Sequence, residues 1–82
     1  MERKSIIEEI KKVIGETTDI ENAELLTEME NLITEKGINS IDAIGILVAI
    51  EDTFDIEIDD QDLSVELVKS IKNLADYVEK KI

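Results

Sequence analysis

Between Ser40 and Phe54 the chain reads as a helix that is apolar almost all round from Ile44 to Ile50. A helix at the surface of a small domain cannot bury every side of itself. Ile46, Ile50 and Phe54, spaced by four, form one inward stripe together with Leu47. Ile41, Ile44 and Val48 fall on another side, flanked by Asp42, Glu51 and Asp52. Either a short third helix and the long preceding loop cover these residues, or they form an exposed apolar strip rimmed by acids, the kind of surface a basic protein partner docks on.

The helix opens from Gly37-Ile-Asn-Ser-Ile-Asp42. The glycine closes a long loop, and Ser40 stands where an N-cap belongs. A capping hydroxyl accepts a free backbone N–H two or three residues on. It therefore sits at the surface and at the positive end of the helix, beside groups that bind anions such as phosphate. Capping alone accounts for a serine there, and a chemical role has to be argued from the residues around it.

The remaining segments also read as helical. Ser5-Ile-Ile-Glu8 fits a capping box, and Ile6, Ile10, Val13 and Ile14 recur at helical spacing, with Ile7 widening the stripe. This predicts a first helix from about residue 3 to 15, stopped by Gly15. Glu16 to Asn39 is a long connection, in which Leu25, Leu26, Met29, Leu32 and Ile33 are expected to pack across the domain, with Leu32 as the pin and Thr27-Glu-Met-Glu30 capping a short turn. Ile56 and Ile58 alternate as in an extended segment within the acidic stretch Asp55–Asp62. Asp55, Glu57, Asp59 and Glu66 match ligand positions of a calcium loop, but Asp60 stands where that loop needs glycine and Asp62 where it needs an apolar residue. Asp59 or Asp60 is instead read as the cap of the short third helix, running through Leu63. Ser70 caps the last helix, with Ile71, Leu74, Val78 and Ile82 inward, Lys80 and Lys81 suiting its C-terminal dipole, and the Tyr77 hydroxyl at the surface.

Gly-Ile-Asn-Ser-Ile-Asp followed by Phe54-Asp-Ile-Glu-Ile-Asp59 resembles the acyl carrier proteins and their relatives in fatty acid, polyketide and peptide synthesis. The resemblance extends over nearly the whole chain: Leu32-Ile33 and Gly37 before the serine, Glu51-Asp52 and Phe54 after it, and a closing Leu74-Ala-Asp-Tyr77. It implies an all-α, four-helix bundle of acyl-carrier type, with three main helices, a short third one and a long loop between the first and second. It also implies that Ser40 carries a 4′-phosphopantetheine arm, transferred from coenzyme A by a phosphopantetheinyl transferase (holo-carrier synthase), whose thiol holds the cargo as a thioester. The pattern is not perfect. Asn39 stands where the family usually has Asp, Lys36 where it has Leu, Ile41 where it has Leu, and Gly45 where a further acid is usual.

Composition narrows the function further. Eighty-two residues make one domain, 1–82, and Ile, Leu, Val and Phe supply about a third of them, enough for a core. The formal net charge is −12 at pH 7, and between Gly37 and Val68 there are nine acids and no base. Such a charge repels nucleic acid and anionic membrane surfaces, favours basic proteins, and destabilises the fold by self-repulsion. The absence of Cys and His removes disulfides, thiolate metal sites, the usual general base and the Ser-His pair of hydrolases, so no enzyme and no bound metal are expected. No apolar run is long enough to span a membrane and no signal-peptide core opens the chain, which places it in the cytoplasm.

The function that the resemblance implies is a monomeric carrier of acyl intermediates. It would be visited in turn by acyl-transferring and synthase enzymes with basic docking patches, which would touch Asn39, Ile41, Asp42, Ile44, Val48, Glu51 and Asp52. Apolar gaps between the helices could shelter the acyl chain. An aminoacyl or peptidyl carrier of a specialised pathway is the alternative within the class. An unmodified acidic helical adaptor for basic proteins is the alternative outside it.

Overall fold

The computed structural model describes residues 1–82 and contains helices, 3₁₀ turns and loops, with no strand. Its four α-helices are α1 (Arg3–Thr17), α2 (Leu32–Lys36), α3 (Ser40–Phe54) and α4 (Ile71–Lys81), with 3₁₀ turns at Ala23–Leu25, Asp60–Asp62 and Val65–Val68. This is the expected all-α architecture. α1 packs against both α3 and α4, and the Val65–Val68 turn bridges α3 and α4. The core holds 19 buried residues, every one of them hydrophobic.

α1 buries Ile6, Ile10, Val13 and Ile14, as their spacing requires, and begins at Arg3 as expected, but its cap and its C-terminal end differ from expectation. It starts ahead of Ser5, with Glu2 at the cap position and no side-chain cap. At the other end it runs past Gly15 to Thr17, because the Thr17 and Thr18 hydroxyls donate to the Val13 and Ile14 carbonyls at 2.8 and 2.7 Å and satisfy groups that a glycine stop would otherwise serve. Gly15 has a different task. A Cβ at this position would lie 3.3 Å from the Cβ of Ala23, so the glycine lets the Ala23–Leu25 turn close on the helix.

Part of the long connection is ordered by Leu32, fully buried at the start of α2, and by Leu26. Two backbone bonds tie it to the start of α4 and the residues just before it: Leu32 N–H to Lys69 C=O at 2.7 Å and Lys72 N–H to Glu28 C=O at 3.0 Å. Leu25 and Met29, expected to pack inward, are 75% and 74% exposed. The 3₁₀ turn directs Ala23 and Leu26 into the core and leaves Leu25 outside. Arg3 draws the parts together from the surface, bonding Glu28, Asp76 and Glu79. Lys72 and Arg3 hold the Asp76 carboxyl below its ordinary range.

Ser70 caps α4 as expected, accepting the Asn73 amide at 3.1 Å. Ile71, Leu74, Ala75 and Val78 are buried, whereas Ile82 lies beyond the last helical residue and is 53% exposed. Asp59 does not cap the turn that follows it, because its carboxylate is taken by Lys81 at 3.1 Å. The Tyr77 hydroxyl is engaged rather than free: it donates to Asp62 Oδ2 at 2.9 Å and accepts the Asp59 amide at 3.3 Å. Burial pushes the Tyr77 phenol above its ordinary range, and the bond that Lys81 donates to the Asp59 carboxylate raises Lys81. At the C-terminal end of α3, Met1, Phe54 and Ile82 line a shallow groove.

Candidate functional site

The junction of α2 and α3 is built residue by residue. Gly37 adopts φ 69°, the left-handed conformation that glycine takes most readily, and its amide returns to the Leu32 carbonyl to close α2. Ile38 is buried at 4% exposure and pins the next residue to the core. Asn39 then caps α3, its Oδ1 accepting the Asp42 amide at 2.9 Å while the Asn39 amide donates back to Asp42 Oδ2 at 3.4 Å.

Ser40 is therefore the first residue of the helix and not its cap. The reason is chemical. A cap at Ser40 would look for a reciprocal partner at Ala43, which has none to offer, whereas the Asn39–Asp42 spacing closes the box. That Asn-x-x-Asp pattern was the signal in the sequence. With capping handled by Asn39, the exposed Ser40 hydroxyl stays available at the positive end of α3, next to its own amide and that of Ile41, which have no intrahelical partner.

Along α3 the two expected faces separate cleanly. Ile46, Leu47, Ile50 and Phe54 are buried along with Ala43, while Ile41, Ile44 and Val48 are 79%, 63% and 59% exposed. The third-helix region and the long loop leave these three open. Asn39 and Asp52 are exposed and Asp42 half-buried on the same side. Glu51 is turned inward to accept the Ile58 amide at 2.9 Å, so it braces the following segment as well as facing the strip.

Beside Ser40 runs a largely apolar groove of about 440 Å³. One wall is α3, through Ser40, Ala43, Ile44, Leu47, Val48 and Glu51, and the other is Leu63, Ser64 and Val65. The second wall was not singled out from sequence, because nothing in a short acidic segment says which face of α3 it will lie beside.

The family described as the phosphopantetheine attachment site matches residues 8–78. The acyl carrier protein of Buchnera aphidicola subsp. Acyrthosiphon pisum is 33% identical over 78 residues, covering 95% of this chain and 94% of that protein. This chain belongs to the acyl carrier protein family. The acyl carrier protein of Thermotoga maritima is 29% identical over 80 residues, 98% of this chain and 95% of the relative. Among solved structures, the acyl carrier protein from Enterococcus faecalis superposes with a TM-score of 0.76 at 27% identity over the whole of both chains.

The protein is accordingly a carrier and not an enzyme. Its prosthetic group is phosphopantetheine, and it works with synthase and transferase enzymes. The site suits that group: a hydroxyl at a helix N-terminus can form a phosphodiester beside unpaired amides, and an apolar groove starts at the same residue. No helix of the chain is long and apolar enough to cross a membrane.

Proposed function

We propose that Ser40 is the residue to which phosphopantetheine is attached, and that residues 1–82 act as one carrier domain for fatty-acyl intermediates. The observation that carries this reading is the position of Ser40: exposed, relieved of capping by Asn39, and lining the apolar groove between α3 and Leu63–Val65. When bound, the group supplies a thiol that holds the acyl chain as a thioester. The chain's own residues do the rest. The Ser40 oxygen would form the new P–O bond as the pyrophosphate bond of coenzyme A breaks, adenosine 3′,5′-bisphosphate leaving and the serine proton passing to the transferase or solvent; the first-turn amides would lie beside the phosphate, and Ile44, Leu47, Val48, Leu63 and Val65 offer the acyl chain an apolar surface.

Partners are read from the outward face of α3. Ile41, Ile44 and Val48 supply apolar contact, while Asn39, Asp42, Glu51 and Asp52 attract the basic patches of a phosphopantetheinyl transferase and of acyl-transferring enzymes. Contacts of this kind are small and brief, and charge speeds the encounter more than it tightens the complex. The net charge of −12 opposes self-association, which supports a monomer, and the charge together with the lack of cysteine supports a cytoplasmic setting.

The test is the intact mass of the protein before and after incubation with coenzyme A and a broad-specificity phosphopantetheinyl transferase, beside Ser40→Ala. A gain of one phosphopantetheine, absent in the variant, is expected. A gain that survives Ser40→Ala would refute the assignment of Ser40, and no gain with several transferases would point to a carrier whose Asn39 demands its own dedicated enzyme, or to an unmodified adaptor.

A further inference from the structure

Gly45 is a residue of α3 that the fold does not require to be glycine. Its backbone is ordinary right-handed helix, since positive φ is confined to Asn22, Gly37 and Asp55. A Cβ placed on it would meet no atom within 4 Å. Glycine is the poorest helix former after proline, so α3 itself would be served better by almost any other residue.

The position of Gly45 on the helix suggests its use. At about 100° per residue it falls at the centre of the outward face, opposite the buried Ala43, Leu47, Ile50 and Phe54. Ile41 precedes it by one turn, Ile44 and Val48 flank it, and Asp42 and Asp52 stand on either side along the helix. Residues 41, 44, 45 and 48 have the spacing of a hole that receives a side chain from a facing element. The result is a dent floored by bare backbone, ringed by three exposed apolar side chains and rimmed by carboxylates. Gly45 follows Ser40 by five residues, about 7.5 Å along the axis. Even a small partner contact, on the order of 500 Å² on this side, that is centred on the helix and reaches the Ser40 hydroxyl therefore covers Gly45 as well.

We propose that Gly45 determines partner specificity: the enzyme that modifies Ser40 docks by seating a bulky apolar side chain, flanked by basic residues, in the dent over Gly45. This rests on the carrier reading, because it takes Ser40 to be the atom group the enzyme must reach. The apolar ring selects an apolar knob, and the acids around it select cationic neighbours. A side chain grown from position 45 fills the dent and holds the partner off. A fold-only role for Gly45 would give the opposite result, since a better helix former would leave docking intact.

The experiment compares wild type, Gly45→Ala, Gly45→Leu, Ser40→Ala and, as a distant exposed control on α1, Ser5→Leu. Thermal melting is measured for each, followed by the kinetics of phosphopantetheine loading from coenzyme A by the chain's own holo-carrier synthase. Both Gly45 variants are expected to melt higher than wild type, which shows that they fold. Gly45→Leu is expected to raise KM for the carrier about tenfold or more with kcat within about twofold, Gly45→Ala to raise it less, and Ser5→Leu to leave it unchanged. A wild-type KM for Gly45→Leu would overturn the proposal while leaving the carrier reading intact. Failure of the wild type to load, or loading that persists in Ser40→Ala, would overturn that reading and this proposal with it.

Discussion

The two glycines inside helices offer a matched pair of substitutions whose outcomes the geometry separates. Replacing Gly45 by Ala in the 15-residue helix α3 removes the excess backbone freedom of glycine in the unfolded chain, an effect of about 0.5–1 kcal/mol in a helix interior. Nothing offsets it, because the new methyl meets no atom within 4 Å. The whole effect should therefore appear as stability. For a domain of this size about 1 kcal/mol corresponds to roughly 4–8 °C, so Gly45→Ala should raise Tm by about 2–8 °C. In Gly15→Ala the same backbone gain meets the Ala23 Cβ at 3.3 Å, and either that turn shifts by a few tenths of an ångström or the gain is lost. Gly15→Ala should thus stabilise less than Gly45→Ala, or destabilise. The assay is thermal melting by circular dichroism together with urea unfolding, with an unchanged m-value showing that the compactness of both states is preserved. A fall in Tm for Gly45→Ala, or a larger rise for Gly15→Ala, would refute the reasoning.

Three further outcomes follow from charge and capping. Melting in rising sodium chloride at neutral pH should move to higher temperature, since nine acids without a base between Gly37 and Val68 repel one another and salt screens them; an unchanged or lower Tm would count against this. Tyr77 and Lys81 both have raised pKa values, so their contribution is fully present below their ordinary values of 10.0 and 10.5 and is lost as pH rises through the folded ones. Stability should accordingly drop on the alkaline side of pH 10, and Tyr77→Phe, which cannot bond Asp62, should show a shallower drop in the same titration. Asn39→Ala should lose about 1 kcal/mol in urea unfolding through the missing cap, whereas Asn39→Asp should keep the cap and be loaded with phosphopantetheine faster than wild type; equal loading rates would remove the second claim.

What could be read from the sequence was whatever strict periodicity carries. Ile6, Ile10, Val13 and Ile14, then Ile46, Ile50 and Phe54, then Ile71, Leu74 and Val78 repeat at helical spacing, and all are buried. Their pattern fixes which side of each helix faces inward without any tertiary information. The outward strip of Ile41, Ile44 and Val48 followed from the same count, because a helix this apolar had to leave something outside. The helix ends were less legible. Ser5, Gly15 and Ser40 are each chemically able to cap or stop a helix, and each was displaced nearby: by a helix begun at Arg3, whose first turn closes on the Glu2 carbonyl, by the Thr17 and Thr18 hydroxyls, and by the Asn39–Asp42 pair. The Leu63–Val65 wall of the groove was illegible for a different reason. The segment around it is placed by contacts such as Glu51 with the Ile58 amide and Tyr77 with Asp62, 7 and 15 residues apart, each of which joins a helix to a residue outside it and so leaves no periodic pattern.

The groove shared by Met1, Phe54 and Ile82 has a practical consequence. Both ends of the chain emerge beside the last residue of α3, while Ser40 is its first, about 21 Å away along the helix axis. A tether joined to either end, whether a linker to a second protein or a link to a surface, would leave from the side of the molecule opposite the serine. The carrier can therefore be leashed at one end and still sweep Ser40 and the outward face of α3 through the surrounding volume. The order of the helices makes it suited to work either free or strung beside its enzymes.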